Sequence, residues 1–205
     1  MKFPVDIFSL TKSELADAVV QLNEKAFRSR QIWRWLYCEG IYDLAKMTDI
    51  SKTSREFFAQ NFKIELPKVA NQLTSNDGTV KFLLELDNGD KVETVYIPEA
   101  KRITICVSSQ VGCALRCAFC HTGTQGFTRN LSVEEIVKQV VLLRDFAKEK
   151  AQEKNEECKP INLVFMGMGE PFYNYDNMAA AIKILMDSDG LAISRRRITI
   201  STSGV

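Results

Sequence analysis

The sequence predicts a mixed α/β protein, with a helical start, a β-hairpin and then repeated strand–loop–helix units that build a parallel sheet. Three observations carry this. Apolar residues recur at helical spacing over residues 7–62. The period then shortens to two on either side of an Asn-Gly turn. From residue 103 onward short apolar runs alternate with amphipathic helical stretches, the pattern of βα units with right-handed crossovers, in a sheet either open or curved into a barrel. At 205 residues and 45% hydrophobic, the chain can bury a core larger than that of one small domain. Its net charge of +1 does not decide whether nucleic acid is a partner, because a local basic patch can sit inside a neutral total. No apolar stretch approaches membrane-spanning length and the start lacks a secretory signal, so the cytoplasm is the expected compartment.

Residues 1–65 read as a small helical unit. Thr11-Lys12-Ser13-Glu14 forms a capping box ahead of Leu15, Val19 and Leu22. A second helix is expected over residues 27–36, ending near Gly40, with Phe27, Ile32, Trp35 and Leu36 in the core. Arg28, Arg30 and Arg34 stand among aromatics, which suits RNA phosphates and bases as well as a solvated helix face. A third helix follows Ser51 and carries Phe57 and Phe58. Residues 66–100 read as a linker and hairpin. Val80, Phe82 and Leu84 alternate with Lys81, Leu83 and Glu85, Asp87-Asn88-Gly89-Asp90 turns the chain, and residues 92–97 return. Glu93 lies on the return strand, where composition alone makes it part of a polar face.

Residues 101–205 supply the βα units. Strands are expected at 103–107, 161–166 and 198–202. Ser132-Val133-Glu134-Glu135 caps a helix whose Ile136, Val140, Leu143 and Ala147 share a face, the charged run 148–159 is a solvated helix end and loop, and residues 176–186 form the next helix. In such folds ligands gather at the carboxyl ends of the strands, and three informative loops fall there. Gly167-Met168-Gly169-Glu170-Pro171 offers backbone and one carboxylate, suited to an ammonium group or simply to a tight turn. Ser201-Thr202-Ser203-Gly204 offers hydroxyls, suited to a ribose or carboxylate or to capping a helix.

The third loop holds Cys113-Ala114-Leu115-Arg116-Cys117-Ala118-Phe119-Cys120. Thiolates are ligands for iron–sulfur clusters and zinc, and three within eight residues can wrap one metal centre. A cubane has four irons, so three cysteines leave one open to a small chelating molecule. A structural zinc site completed by His121 is the alternative, although His121 directly abuts Cys120. Disulfides are disfavoured by the scattered remaining cysteines.

The Cys-x3-Cys-x2-Cys spacing, with Phe119 before the last cysteine, resembles the signature of radical S-adenosylmethionine enzymes. Together with Ile105-Cys106-Val107-Ser108-Ser109-Gln110-Val111-Gly112-Cys113, Gln125-Gly126-Phe127-Thr128-Arg129-Asn130-Leu131, the glycine loop and the helical stretch 27–36, it resembles the RlmN branch of the RlmN/Cfr family over essentially the whole chain. The resemblance implies the first half of a partial (βα)6 barrel behind an RNA-binding accessory domain. It also implies methylation of C2 of an adenosine in 23S ribosomal RNA, and in some transfer RNAs, through a methyl-cysteine intermediate. Cys113, Cys117 and Cys120 would hold a [4Fe-4S] cluster, with Phe119 near the adenine of S-adenosylmethionine, Gly169 and Glu170 at its methionine amino group, and Ser201 on its ribose or carboxylate side. Glu93 would accept a proton, and Cys106 would resolve the RNA–enzyme adduct by forming a disulfide. A monomer served by an electron donor such as flavodoxin, away from membranes, is implied as well. None of the six cysteines matches the methyl-carrying position of the family, so this polypeptide alone is expected not to turn over.

Overall fold

A computed structural model describes residues 2–205. Strand β1 (Val5–Asp6) leads to helix α1 (Lys12–Gln21), which starts in the expected capping box between Thr11 and Glu14. Helix α2 (Phe27–Arg34) runs into a π-helical turn, Trp35–Glu39, that ends at Gly40. Its buried face is Ser29, Ile32, Trp33, Leu36 and Tyr37, a single stripe at helical spacing. Two of the four residues expected in this core lie elsewhere. Phe27 is 49% exposed, and Trp35 is only partly buried, its indole N–H donating to Asp49 Oδ1 at 2.6 Å. The phase set by Ile32 and Leu36 carries positions 33 and 37 inward and turns 27 and 35 away. Helix α3 (Lys52–Asn61) begins at Ser51, whose hydroxyl accepts from Ser54 N–H at 3.2 Å; Phe58 is buried, while Phe57 stays 37% exposed. Strand β2 (Phe62–Lys63) pairs in parallel with β1 and closes the helical unit on itself.

The rest is organised on one six-stranded sheet. Strands β3 (Lys68–Thr74), β4 (Val80–Glu85) and β5 (Lys91–Pro98) form an antiparallel meander. Strand β5 pairs antiparallel with β6 (Ile103–Cys106), and β6 continues in parallel to β9 (Ile161–Phe165) and β10 (Ile198–Ile200). The expected hairpin is therefore hydrogen-bonded into the sheet of the βα units. Strand β3 has no counterpart among the sequence expectations. All seven of its residues are exposed and a bulge interrupts it between Val69 and Asn71, so neither alternation nor an apolar run marks it. A short antiparallel pair, β7 (Gln110–Gly112) and β8 (Phe127–Asn130), flanks helix α4 (His121–Gln125) above the carboxyl end of β6.

Helices α5 (Val133–Glu153) and α6 (Tyr175–Met186) cover one face of the sheet. Ile136, Val140, Leu143 and Ala147 of α5 are buried as their spacing predicts, and Phe146 meets the rings of Phe82 and Tyr96 edge-on at 5.0 and 5.1 Å. Side chains alternate across a strand, so the opposite face carries the row Val95, Cys106, Val164 and Thr199, with Glu93 one step along β5. The helical unit docks on α5 through two buried cations. Lys138 Nζ lies 2.5 Å from Asp6 Oδ2 and over the ring of Phe8, and Arg144 donates to the carbonyls of Leu36 and Tyr37 and to the Tyr42 hydroxyl.

Candidate active site

The cysteine loop leaves β7 at Gly112 and returns through α4 to Gly126. Cys113 N–H donates to Gly126 C=O at 2.9 Å, tying its two ends. Gly112 sits at φ 73°, and a Cβ there would lie 1.8 Å from the Gly126 oxygen, so no side chain fits. Within the loop Cys120 N–H donates to Cys117 C=O at 3.0 Å, and Gly123 N–H to Cys120 C=O at 3.1 Å. Cys113 is buried, Cys117 and Cys120 are half-buried, and all six cysteines of the chain are free thiols. Cys106 is therefore not cross-linked to any other cysteine of this chain. Phe119 is 94% exposed and stands clear of the fold. Among the described residues no three His, Cys, Asp or Glu side chains are drawn together as a ligand set. The donor chemistry nonetheless fits a thiophilic metal group: three unpaired thiols on one loop whose ends are held.

The glycine loop lies against the approach to that loop. Met168 C=O accepts from Ser109 N–H at 2.9 Å and Gln110 N–H at 3.2 Å, and its N–H donates to Ser108 Oγ at 2.9 Å. Gly169, at φ 100°, packs so closely on Gln110 that a Cβ would approach the Gln110 Cβ to 2.5 Å. Glu170 is buried and caps the turn Pro171–Asn174. Its Oε1 accepts from Phe172 N–H at 3.0 Å, and its Oε2 accepts from Ser203 N–H at 2.9 Å and Ser203 Oγ at 3.0 Å. Burial alone would raise its pKa, yet these bonds outweigh burial and hold the carboxyl below its ordinary value. Ser201 lies beyond β10, exposed, its N–H 3.4 Å from Phe165 C=O.

Glu93 and Cys106 lie on the sheet face opposite the helices. Glu93 pairs with Lys81 at 2.8 Å, and both side chains are half-exposed. Its backbone is locked to the glycine loop, since Ser108 Oγ donates to Glu93 C=O at 2.6 Å and Glu93 N–H points to Met168 Sδ at 3.3 Å. The Cys106 thiol is pushed up by burial, against a hydrogen bond from the Met166 backbone. The structure therefore brings Glu93, Met168 and Ser108 together, and joins Glu170 to Ser203 rather than to Ser201. Sequence reasoning gave no separate role to the polar side chains that hold these loops. Gln139 grips both the N–H and C=O of Ser108 (2.9 and 3.1 Å), and Asn174 Nδ2 donates to the carbonyls of Ser109 (2.8 Å) and Leu131 (2.7 Å). Buried amides that serve irregular backbone follow no period, so no pattern announces them.

The arginines of α2 have different partners. Arg28 is tied to Gln31 and the Asp49 carbonyl, Arg34 pairs with Glu39 at 3.3 Å, and Arg30 faces a groove of about 1020 Å³ with Lys12 and Lys183.

A family model described as the ribosomal RNA large subunit methyltransferase N-terminal domain matches residues 5–64, and one described as the radical SAM superfamily matches residues 107–205. Over 98% of its length the chain is 49% identical to the dual-specificity RNA methyltransferase RlmN of Cereibacter sphaeroides and 48% identical to that of Paracoccus denitrificans. The chain belongs to the RlmN family. It spans 53% of the length of each of these relatives, about half. A radical SAM methyltransferase from Sphaerobacter thermophilus has the same fold, with a TM-score of 0.89 at 37% identity, over 98% of this RlmN-family chain and 58% of that one. The mixed sheet is thus that of a radical SAM protein, its parallel strands forming part of the barrel. No helix among the described residues is long and apolar enough to cross a membrane.

Proposed function

We propose that these residues carry the cluster, the cofactor and the adenine-facing residues of an RNA methyltransferase of RlmN type, acting at C2 of an adenosine in 23S ribosomal RNA and in transfer RNA. The observation that supports it most is the cysteine loop. Its three free thiols, Cys113, Cys117 and Cys120, sit on a loop closed at Gly112 and Gly126 and placed at the end of the parallel sheet where ligands collect. They would hold a [4Fe-4S] cluster with one iron left for S-adenosylmethionine. Bound together, the two groups supply one-electron reductive chemistry at a carbon–sulfur bond.

The chain's own residues bind, orient and move protons. Glu170, ionised by its hydrogen bonds, suits the ammonium of the cofactor's methionine end, with Gly169 beside it packed on Gln110 and meeting the same group through its backbone. Phe119 offers an unpartnered ring for the adenine, and the tail beginning at Ser201 offers hydroxyls for the ribose or carboxylate. Glu93 presents its carboxylate on the open face of the sheet as the proton acceptor. Cys106, on the same face, keeps its proton at neutral pH because burial disfavours the thiolate, and must be deprotonated before it can attack. In this assignment residues 1–65 contact RNA, residues 66–100 carry Glu93, and residues 101–205 hold the cofactors. The protein would work as a cytoplasmic monomer served by a donor such as flavodoxin.

Electron paramagnetic resonance of the anaerobically reconstituted, reduced protein tests this. The expected result is a [4Fe-4S] signal that shifts on adding S-adenosylmethionine and is lost in Cys117→Ala. Bound zinc without sulfide, or a cluster signal indifferent to the cofactor, would overturn it.

A further inference from the structure

Between the cysteine loop and Glu170 lies one buried amide, that of Gln110, 1% exposed. Its backbone belongs to β7, three residues before Cys113, and its N–H donates to Met168 C=O at 3.2 Å. Its side chain spans three segments. Oε1 accepts from Glu170 N–H at 2.8 Å, and Nε2 donates to Asn130 Oδ1 at 2.7 Å, on the strand that leaves the cysteine loop. The partners fix which way the amide faces. A backbone N–H can only donate, and Asn130 Nδ2 is already committed to Tyr173 C=O at 2.9 Å, which leaves its oxygen for Gln110. Gly169 closes over the Gln110 stem.

We propose that Gln110 is a positioning residue for the cofactor's methionine end, setting Glu170 at a fixed place relative to the cysteine loop; this rests on the cofactor assignment proposed above. The backbone of Glu170 is located by Gln110, and its two carboxylate oxygens are aimed by Phe172 and Ser203. Removing the amide would not release the whole glycine loop. Met168 keeps its bonds to Ser109 N–H and Ser108 Oγ, so the loss falls on Glu170 and on the β8 link. A shift of about 1 Å in such a group is enough to impair binding of a chelated ligand.

Two variants separate positioning from packing. Gln110→Met keeps the volume and deletes both side-chain bonds. Gln110→Glu keeps both while its acid is neutral, as burial favours, with the C=O accepting from Glu170 and the O–H donating to Asn130. Ionisation removes that donor and adds a charge beside Glu170. The readout is the S-adenosylmethionine concentration that half-saturates the paramagnetic spectral shift, with iron and sulfide measured in the same samples. Gln110→Met should need about tenfold more cofactor at unchanged iron content, the effect of losing a bond of about 1.4 kcal/mol. Gln110→Glu should match the parent protein at about pH 6 and fall away from it towards about pH 9. A Gln110→Met that titrates like the parent, or a Gln110→Glu whose ratio to the parent ignores pH, overturns the proposal. If Gln110→Met assembles no cluster, the pH comparison decides alone. A parent protein indifferent to the cofactor would overturn the cofactor assignment itself, and with it this inference.

Discussion

At Gly112 the chain passes within a side chain's breadth of the backbone at Gly126, with no room for a methyl group. The obstacle is a carbonyl oxygen and not the tip of a flexible side chain, and the residue sits at positive φ as well. Gly112→Ala should therefore cost about 2–3 kcal/mol or prevent folding, read as a lowered midpoint in thermal or urea denaturation. Cysteine reactivity is a second matter decided residue by residue. Cys38 and Cys158 are exposed, whereas Cys106 is half-buried with its thiol pushed up by burial. Mass spectrometry after brief iodoacetamide treatment at about pH 8 should find Cys38 and Cys158 alkylated well before Cys106, because the thiolate is the reactive form. Equal rates would remove the basis for a protonated Cys106. At this scale the sequence is most readable where chemistry repeats at fixed spacing, as in Cys113, Cys117 and Cys120. It is silent on Gln139 and Asn174, whose partners are backbone atoms far along the chain.

Among elements, the long amphipathic helix α5 and the apolar strands β6 and β9 follow directly from their periods. Strand β3 does not, since a bulged strand exposed on both faces lacks the contrast that periodicity detects. In α2 the stripe was visible but its phase was not, because aromatic residues lie all round the helix and only Ile32 and Leu36 fix the inward direction. The segment beyond β10 is tied back to the glycine loop by the Glu170 side chain. Ser203 donates both N–H and Oγ to Glu170, whose carboxyl lies below its ordinary value although burial opposes this. The sign follows: a depressed carboxyl favours the folded arrangement above its unfolded pKa, and that contribution is lost as pH falls through the folded one. The Ser203 amide resonance should accordingly titrate with a midpoint below that of an ordinary glutamate. In Glu170→Gln its hydrogen exchange at neutral pH should quicken by about threefold to tenfold. An unchanged exchange rate would mean that the tail is held by something other than this carboxylate.

Across the whole molecule, the helical unit and the sheet are joined by charge placed where pattern reading expects solvent. Lys138 and Arg144 lie on the amphipathic helix α5, yet both are 5% exposed. Arg144 serves the carbonyls of Leu36 and Tyr37, the hydroxyl of Tyr42 and the carboxylate of Asp145. Arg144→Met keeps much of the apolar stem and strands those acceptors. It should lower unfolding stability by about 2–4 kcal/mol in urea, with the loss concentrated at the seam between α2 and α5. A neutral effect would mean that apolar contact around Phe8 and Tyr37 suffices to hold the units together.

The crossing of Gly112 and Gly126 also governs how an inorganic group could be acquired. Bringing the ends of a flexible segment together carries an entropic penalty that rises with the logarithm of its length. Here the β7–β8 pair and the bond from Cys113 to Gly126 have already met that penalty when the polypeptide folds. The loop is a tied noose hung on a finished frame. On the reading proposed above, a metal group would be fitted late, lost to oxygen or a chelator, and fitted again, without the frame being rebuilt each time.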